Sequence, residues 1–190
     1  MGELTKPMYK LGRLEGGEWI EHSYPRVFEH DATNSAEGCL VIGLPGKNAE
    51  IFERLVGVLT PPYLLLYVLH TPRGEAEAGR YQSDPVSREQ FASFILRFSD
   101  YLSSDARFDL WVHSRDDAAT VVWDRHSRIF AYGLRTQLMS ELEAMNFVPG
   151  QVDVPSPHEH NYREEFDIDA AALLSGFNWI HSPLRPEDEQ

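Results

Sequence analysis

A chain of 190 residues with 42% apolar and 12% aromatic side chains has the material for one well-buried domain, which excludes an intrinsically disordered chain. Its formal net charge of −13 repels phosphate backbones and anionic membrane surfaces, so nucleic acid and membrane are excluded as partners and a basic protein is favoured. A single cysteine, Cys39, excludes an internal disulfide framework and a cysteine-rich zinc site, and fits a reducing compartment.

The opening "MGELTKPMYKLGRLEGG" has no apolar core of the kind a secretory signal needs, and Lys6 stands where myristoylation requires Ser or Thr. The longest apolar run, "YLLLYVL" over residues 63–69, is far shorter than the roughly 20 residues of a membrane span. A cytoplasmic protein is expected. Residues 1–37 are weakly patterned, with a hairpin expected in "KLGRLEGGEWIEH" that turns at Gly16-Gly17.

From Cys39 the pattern sharpens. "CLVIGL" reads as a buried strand. A helix follows over residues 48–59, with Ile51, Phe52, Leu55, Val56 and Leu59 on one face, Asn48 as N-cap candidate and Pro61-Pro62 as its stop. "YLLLYVLH" is apolar on both faces and therefore central. Residues 71–86 form a long Gly- and Pro-rich loop. Ser87 and Gln90 make a capping box for a helix whose stripe is Phe91, Phe94, Ile95, Phe98 and Leu102. "FDLWVHS", "ATVVWDRH" and "RIFAYG" are three strands of a meander that turns near His126-Ser127. "RTQLMSELEAMNF" is a third helix, residues 148–166 are irregular, and "DIDAAALLSGF" is a short closing helix.

The expected fold class is α+β: a single mixed β-sheet in the order β-α-β-α-β-β-β-α, with helices packed on it and an irregular C-terminal extension. Helical connections of this length make the first three of those strands parallel and the last two antiparallel. One domain spans 1–182, and 183–190 forms an acidic flexible tail. Acid is unevenly placed, with a net −7 over residues 151–190 against −6 over the first 150.

The glycine turn "CLVIGLPGKNAEIF" raises the question of a phosphate loop. The motif G-x-x-x-x-G-K-[ST] would need Gly at Val41 and a hydroxyl at Asn48, and Pro45 removes an N–H from the cradle, so a plain turn is expected. Lys47 at the helix entrance can still hold an anion. With parallel strands, Lys47, His70, Arg73, His113 and Arg115 would gather along one sheet edge as a ligand site under the 71–86 loop.

"PSPHEHNYREEFD" carries His158 and His160 two apart. On a strand they share a face, so both imidazoles can reach one metal, zinc or another divalent ion, with Asp124, His126 or His113 as further ligands. An H-x-H pair alone is a weak signal, and the favoured reading of the same segment is a Pro-bounded surface stretch packing Tyr162 and Phe166 on the body. Asp124 beside His126 can orient that ring at a polar hairpin tip, and no G-x-S-x-G supplies a nucleophilic serine.

Two functions are expected from these signals. The first is a non-catalytic binding module of the inhibitor or immunity type, without a cofactor. It would neutralise a basic protein partner through Asp153, Glu159, Glu164, Glu165 and Asp167. The alternative is a ligand-binding or metal-dependent enzyme domain built on Lys47, His70, Arg73 and His113, with a metal on His158 and His160.

Overall fold

The computed structural model describes residues 8–33 and 38–188. The N-terminal hairpin is formed by β1 (Leu11–Glu15) and β2 (Glu18–Glu21), turning at Gly16 and Gly17 in the left-handed region as the sequence predicts. The main chain of elements follows: β3 (Val27–Asp31), β4 (Cys39–Gly43), α1 (Ala49–Gly57), β5 (Tyr63–Leu69), β6 (Gly79–Gln82), α2 (Arg88–Ser104), β7 (Phe108–Ser114), β8 (Ala119–Trp123), β9 (Arg128–Tyr132) and α3 (Arg135–Ala144). After them come β10 (Val148–Pro149), β11 (His158–His160), α4 (Asp167–Ser175) and β12 (Ile180–Ser182). The fold is α+β, with a mixed nine-stranded sheet in the order β10-β3-β4-β9-β8-β7-β5-β6-β12 and a small sheet β11-β1-β2.

The four α-helices among the described residues serve the apolar face of the large sheet. Ile51, Phe52, Leu55 and Val56 of α1, Phe91, Phe94, Ile95, Phe98 and Leu102 of α2, Leu138 and Leu142 of α3, and Ala170 and Leu173 of α4 pack on alternate residues of the strands: Leu65, Tyr67, Leu110, Val112, Val121, Trp123 and Ile129. Burying each large side chain of this set contributes roughly 1.5–3 kcal/mol. The capping box of α2 is complete: Gln90 N donates to Ser87 Oγ at 3.2 Å, and Ser87 N donates to Gln90 Oε1 at 2.8 Å. Asn48 makes no capping bond to α1; its amide donates instead to Pro45 O at 2.5 Å, closing the turn before the helix. The opposite face carries a smaller cluster of Leu11, Tyr24, Cys39, Val41 and Val152 over β3, β4 and β9. No helix among the described residues is long and apolar enough to cross a membrane.

Strand directions differ from expectation. β5 and β7 pair antiparallel, Tyr63 opposite Ser114 through Leu69 opposite Phe108. The reason is β6, a strand inside the Gly- and Pro-rich stretch that the sequence pattern leaves as loop. It reverses the chain after β5, so that α2 carries it back and β7 must run down again. β4 and β5 do run in one direction, but β9, β8 and β7 lie between them. Residues 186–188 form a 3-10 turn, and Asp188 is buried, accepting from Arg80 Nη1 at 2.5 Å and from Arg185 N at 2.7 Å. Glu189 and Gln190 lie outside the described residues, as do residues 1–7, Lys6 among them, and 34–37 of the weakly patterned N-terminal segment.

Candidate metal centre

β11 is a three-residue strand paired antiparallel to β1, with His160 opposite Leu11 and His158 opposite Arg13. The period of two puts His158 and His160 on one side and Glu159 on the other. Glu159 accepts from Tyr9 OH at 3.1 Å. It also crosses close to Gly12, where a Cβ would lie 2.8 Å from its Cγ and would make the Glu159 side chain shift.

His126 comes from the turn between β8 and β9. Asp124 builds that turn. Its Oδ1 accepts from the backbone N–H groups of His126 (2.9 Å) and Arg128 (2.8 Å). Its Oδ2 meets His126 Nδ1 at 3.2 Å and accepts from Arg128 Nε at 3.1 Å and Nη2 at 3.0 Å. Burial alone would raise the Asp124 pKa, but the bonds from His126 and Arg128 hold it below the ordinary carboxylate value.

Three struts lock the small sheet against this turn. Asn161 N donates to Lys10 O at 3.0 Å, and Asn161 O accepts from Ala106 N at 2.9 Å. Arg163 N donates to Asp105 Oδ2 at 2.8 Å. Lys10, 1% exposed, lays its ammonium over the rings of Phe108 (4.6 Å) and Trp123 (4.5 Å) and donates to Asp124 O at 3.5 Å. Burial pushes the Lys10 pKa down to about 8, against the pull of Asp124, Asp109 and Asp105. Lys10 carried no signal in the sequence: it sits in a weakly patterned stretch, and its role exists only once β1 docks beside β8.

The result is a group of three imidazoles. His126, His158 and His160 each present a ring nitrogen, and the three atoms lie within 4.8 Å of one another. Ring centroids are 4.6 Å apart for His126 and His160, 5.3 Å for His126 and His158, and 5.2 Å for His158 and His160. Asp124 engages Nδ1 of His126, and the Pro155 carbonyl accepts from Nδ1 of His158 at 3.0 Å, so Nε2 is the nitrogen of each ring not taken by these bonds. Nε2 of His160 is out of contact with solvent and has no hydrogen-bond partner. Burial pushes the His160 pKa down to about 3, helped by His126, His158 and Arg125, so this ring is neutral with a lone pair available. A cavity of about 340 Å³ opens beside His126, walled by Trp111, Val122 and Phe130 and edged by Asp109, Asp124 and Glu187.

Of the three residues named as further ligands to His158 and His160, the fold brings His126 into the group and Asp124 behind it. His113 lies elsewhere, its Nδ1 2.9 Å from Thr120 Oγ1. The sheet-edge ligand site is not assembled. Because β7 is antiparallel to β5, His113 and Arg115 stand at the opposite end from His70, about 20 Å along the strand at 3.4 Å per residue. Lys47 is exposed after β4, four strand spacings of about 4.8 Å from β5. His70 Nε2 is 2.9 Å from Asp109 Oδ2, and Arg73 is bonded to Asp167 at 3.0 Å. Among the five carboxylates assigned to a basic partner, Glu159 bonds Tyr9 and Asp167 bonds Arg73 and Arg107, while Asp153, Glu164 and Glu165 are exposed.

Comparison of the chain with protein-family models, with curated protein sequences and with solved structures gave no match in any of the three.

Proposed function

We propose that the protein binds a divalent transition metal, with His126, His158 and His160 as its ligands. The observation that carries this is the convergence of three imidazole nitrogens, one from the β8–β9 turn and two from β11, within 4.8 Å. A tetrahedral ion at the usual metal–nitrogen distance of about 2.0–2.1 Å sets its donors roughly 3.3 Å apart, so the rings close on it by ~1.5 Å or less. Three further features favour binding. Two rings are oriented by a carboxylate and a carbonyl on their far nitrogens, the arrangement that fixes tautomer and raises ligand basicity. The third ring is neutral and unpartnered, so it gives up no proton and no hydrogen bond to a metal. Imidazole donors suit zinc, copper, nickel and iron, and zinc is the natural first probe.

The test is isothermal titration of zinc into the chelator-stripped full chain. One site of micromolar or tighter affinity is expected, weakened by at least ~100-fold in His160→Ala, since three-donor binding collapses when one ligand is removed. Absence of a single stoichiometric site, or a site unchanged in that variant, sinks the proposal.

A further inference from the structure

The face of the large sheet turned away from the helices carries a row of its own. Trp111 stands opposite Val122, and Val122 opposite Phe130, across β7, β8 and β9. Their neighbours along each strand point the other way, into the core under the helices. Trp111 and Phe130 are half-buried and form the floor of the 340 Å³ cavity, which has the size of a small-molecule site. His126 is the one member of the metal group that lines it, so the cavity and the metal group are neighbours rather than one site.

The charges of this cavity are sorted by end. At one end stands the turn of residues 186–188, tied to β6 by the ion pair of Asp188 with Arg80. Glu187 of that turn lines the cavity and is exposed. At the other end are Arg125, from the β8–β9 turn, and Arg128, at the start of β9. Asp188 is matched by Arg80, and Arg128 by Asp124. Asp109, between the ends, meets His70 Nε2 at 2.9 Å and accepts from Arg125 N at 2.8 Å. Glu187 and Arg125 therefore give the cavity an anionic and a cationic end. A guanidinium has five N–H donors, enough to serve a ligand carboxylate beside a protein partner.

A ligand of a single sign is repelled at one end of such a cavity. A free amino acid carries its ammonium and carboxylate on one carbon, too close together to reach both ends. β5 and β7 separate β6 from β8, three strand spacings of about 4.8 Å. Two or three residues of chain, at roughly 3.3–3.6 Å each, match that span once the side chains of Glu187 and Arg125 reach inward.

We infer that the cavity binds a short apolar peptide with free termini, two or three residues long. Its ammonium meets Glu187, its carboxylate meets Arg125, and its side chains lie on Trp111 and Phe130. The site needs no metal and stands independently of the metal reading.

The experiment titrates the full chain, stripped of metal, with the tripeptide Leu-Phe-Leu in a calorimeter. One site is expected, and N-acetylation or C-amidation of the peptide each weakens it by at least ~10-fold, because each removes a charge-assisted bond. In Glu187→Gln, acetylation brings no further loss while amidation still does. In Arg125→Gln the pattern is reversed. Misfolding cannot produce that crossed pattern. Trp111→Ala weakens all three forms of the peptide. Blocked peptides that bind as tightly as the free one, or no binding up to ~10 mM, overturn the inference. Penalties for both blocks that persist in both variants overturn the placement of the termini.

Discussion

His126 lies in a turn of the large sheet and His160 on a strand of the small one, yet their rings meet edge to face at 4.6 Å. One is carried by a turn that Asp124 ties together, the other by a three-residue strand that pairs only with β1. The contact therefore exists only when the small sheet is docked on the large one, and a metal bound there would clamp the two.

That clamp has a thermal signature. A ligand that binds only the folded state stabilises by RT ln(1 + [L]/Kd), about 2.7 kcal/mol at a hundredfold excess over Kd. For a chain of this size the midpoint should rise by roughly 5–10 °C with zinc and return on chelation. Differential scanning fluorimetry reads it directly. An unchanged midpoint in the presence of bound zinc would mean that the histidines already meet in the unfolded chain.

Asp124 should matter to affinity beyond its role in the turn. Asp124→Asn keeps the shape of the side chain and removes the charge that faces His126 Nδ1. Loss of such a partner lowers metal affinity by about 10–100-fold. Calorimetry on the variant, with circular dichroism to verify the fold, decides it; full affinity in a folded variant would assign Asp124 to the turn alone.

The His160 ring makes stability depend on pH in a definite direction. Its pKa falls from 6.5 to about 3 on folding, through burial first and then the neighbouring His126, His158 and Arg125. Below pH 6.5 the unfolded chain takes up a proton at this ring that the folded chain refuses. Stability from this source is therefore complete above 6.5 and drains away as pH falls toward 3. Urea midpoints of the stripped protein at pH 7, 5 and 4 should decline more steeply for the native chain than for His160→Gln. Parallel slopes would contradict the assignment.

Arg107 should be among the costliest positions to change. Its side chain is fully buried and bonds Asp105 (2.9 Å), Glu75 (3.0 Å), Asp167 (3.0 Å) and the Arg163 carbonyl (2.8 Å). Arg107→Ala leaves the buried Asp105 carboxylate without its counter-charge, a loss of about 3–5 kcal/mol. Chemical denaturation measures it, and a cost under about 1 kcal/mol would show that water enters to replace the guanidinium.

Ser87→Ala tests a feature readable from four letters. Removing the hydroxyl that accepts from Gln90 N should cost about 1 kcal/mol, while Ser87→Gly should cost only a few tenths more than nothing. Equal costs for the two variants would point to a cause other than the cap.

What the sequence determined by itself is what short-range chemistry decides. The stripes of α1 and α2, the capping box at Ser87, the Gly16-Gly17 hairpin and the meander from Phe108 to Tyr132 follow from periods of 3.6 and 2 and from turn residues. The shared face of His158 and His160 follows from the same period. β6 escaped because "GRYQ" is too short to show alternation among glycines, and missing that one pass reversed the direction assigned to β7. With it went the sheet-edge grouping of Lys47, His70 and Arg73 with His113 and Arg115. Nothing local distinguishes Asp124, His126 and His113 as the residue that joins His158 and His160. Only tertiary structure chose His126, through Lys10 under Asp124, Asn161 between Lys10 and Ala106, and Arg163 on Asp105. Those contacts join segments far apart in the chain, and their geometry is set by how two sheets pack, a quantity that no window of neighbouring residues contains.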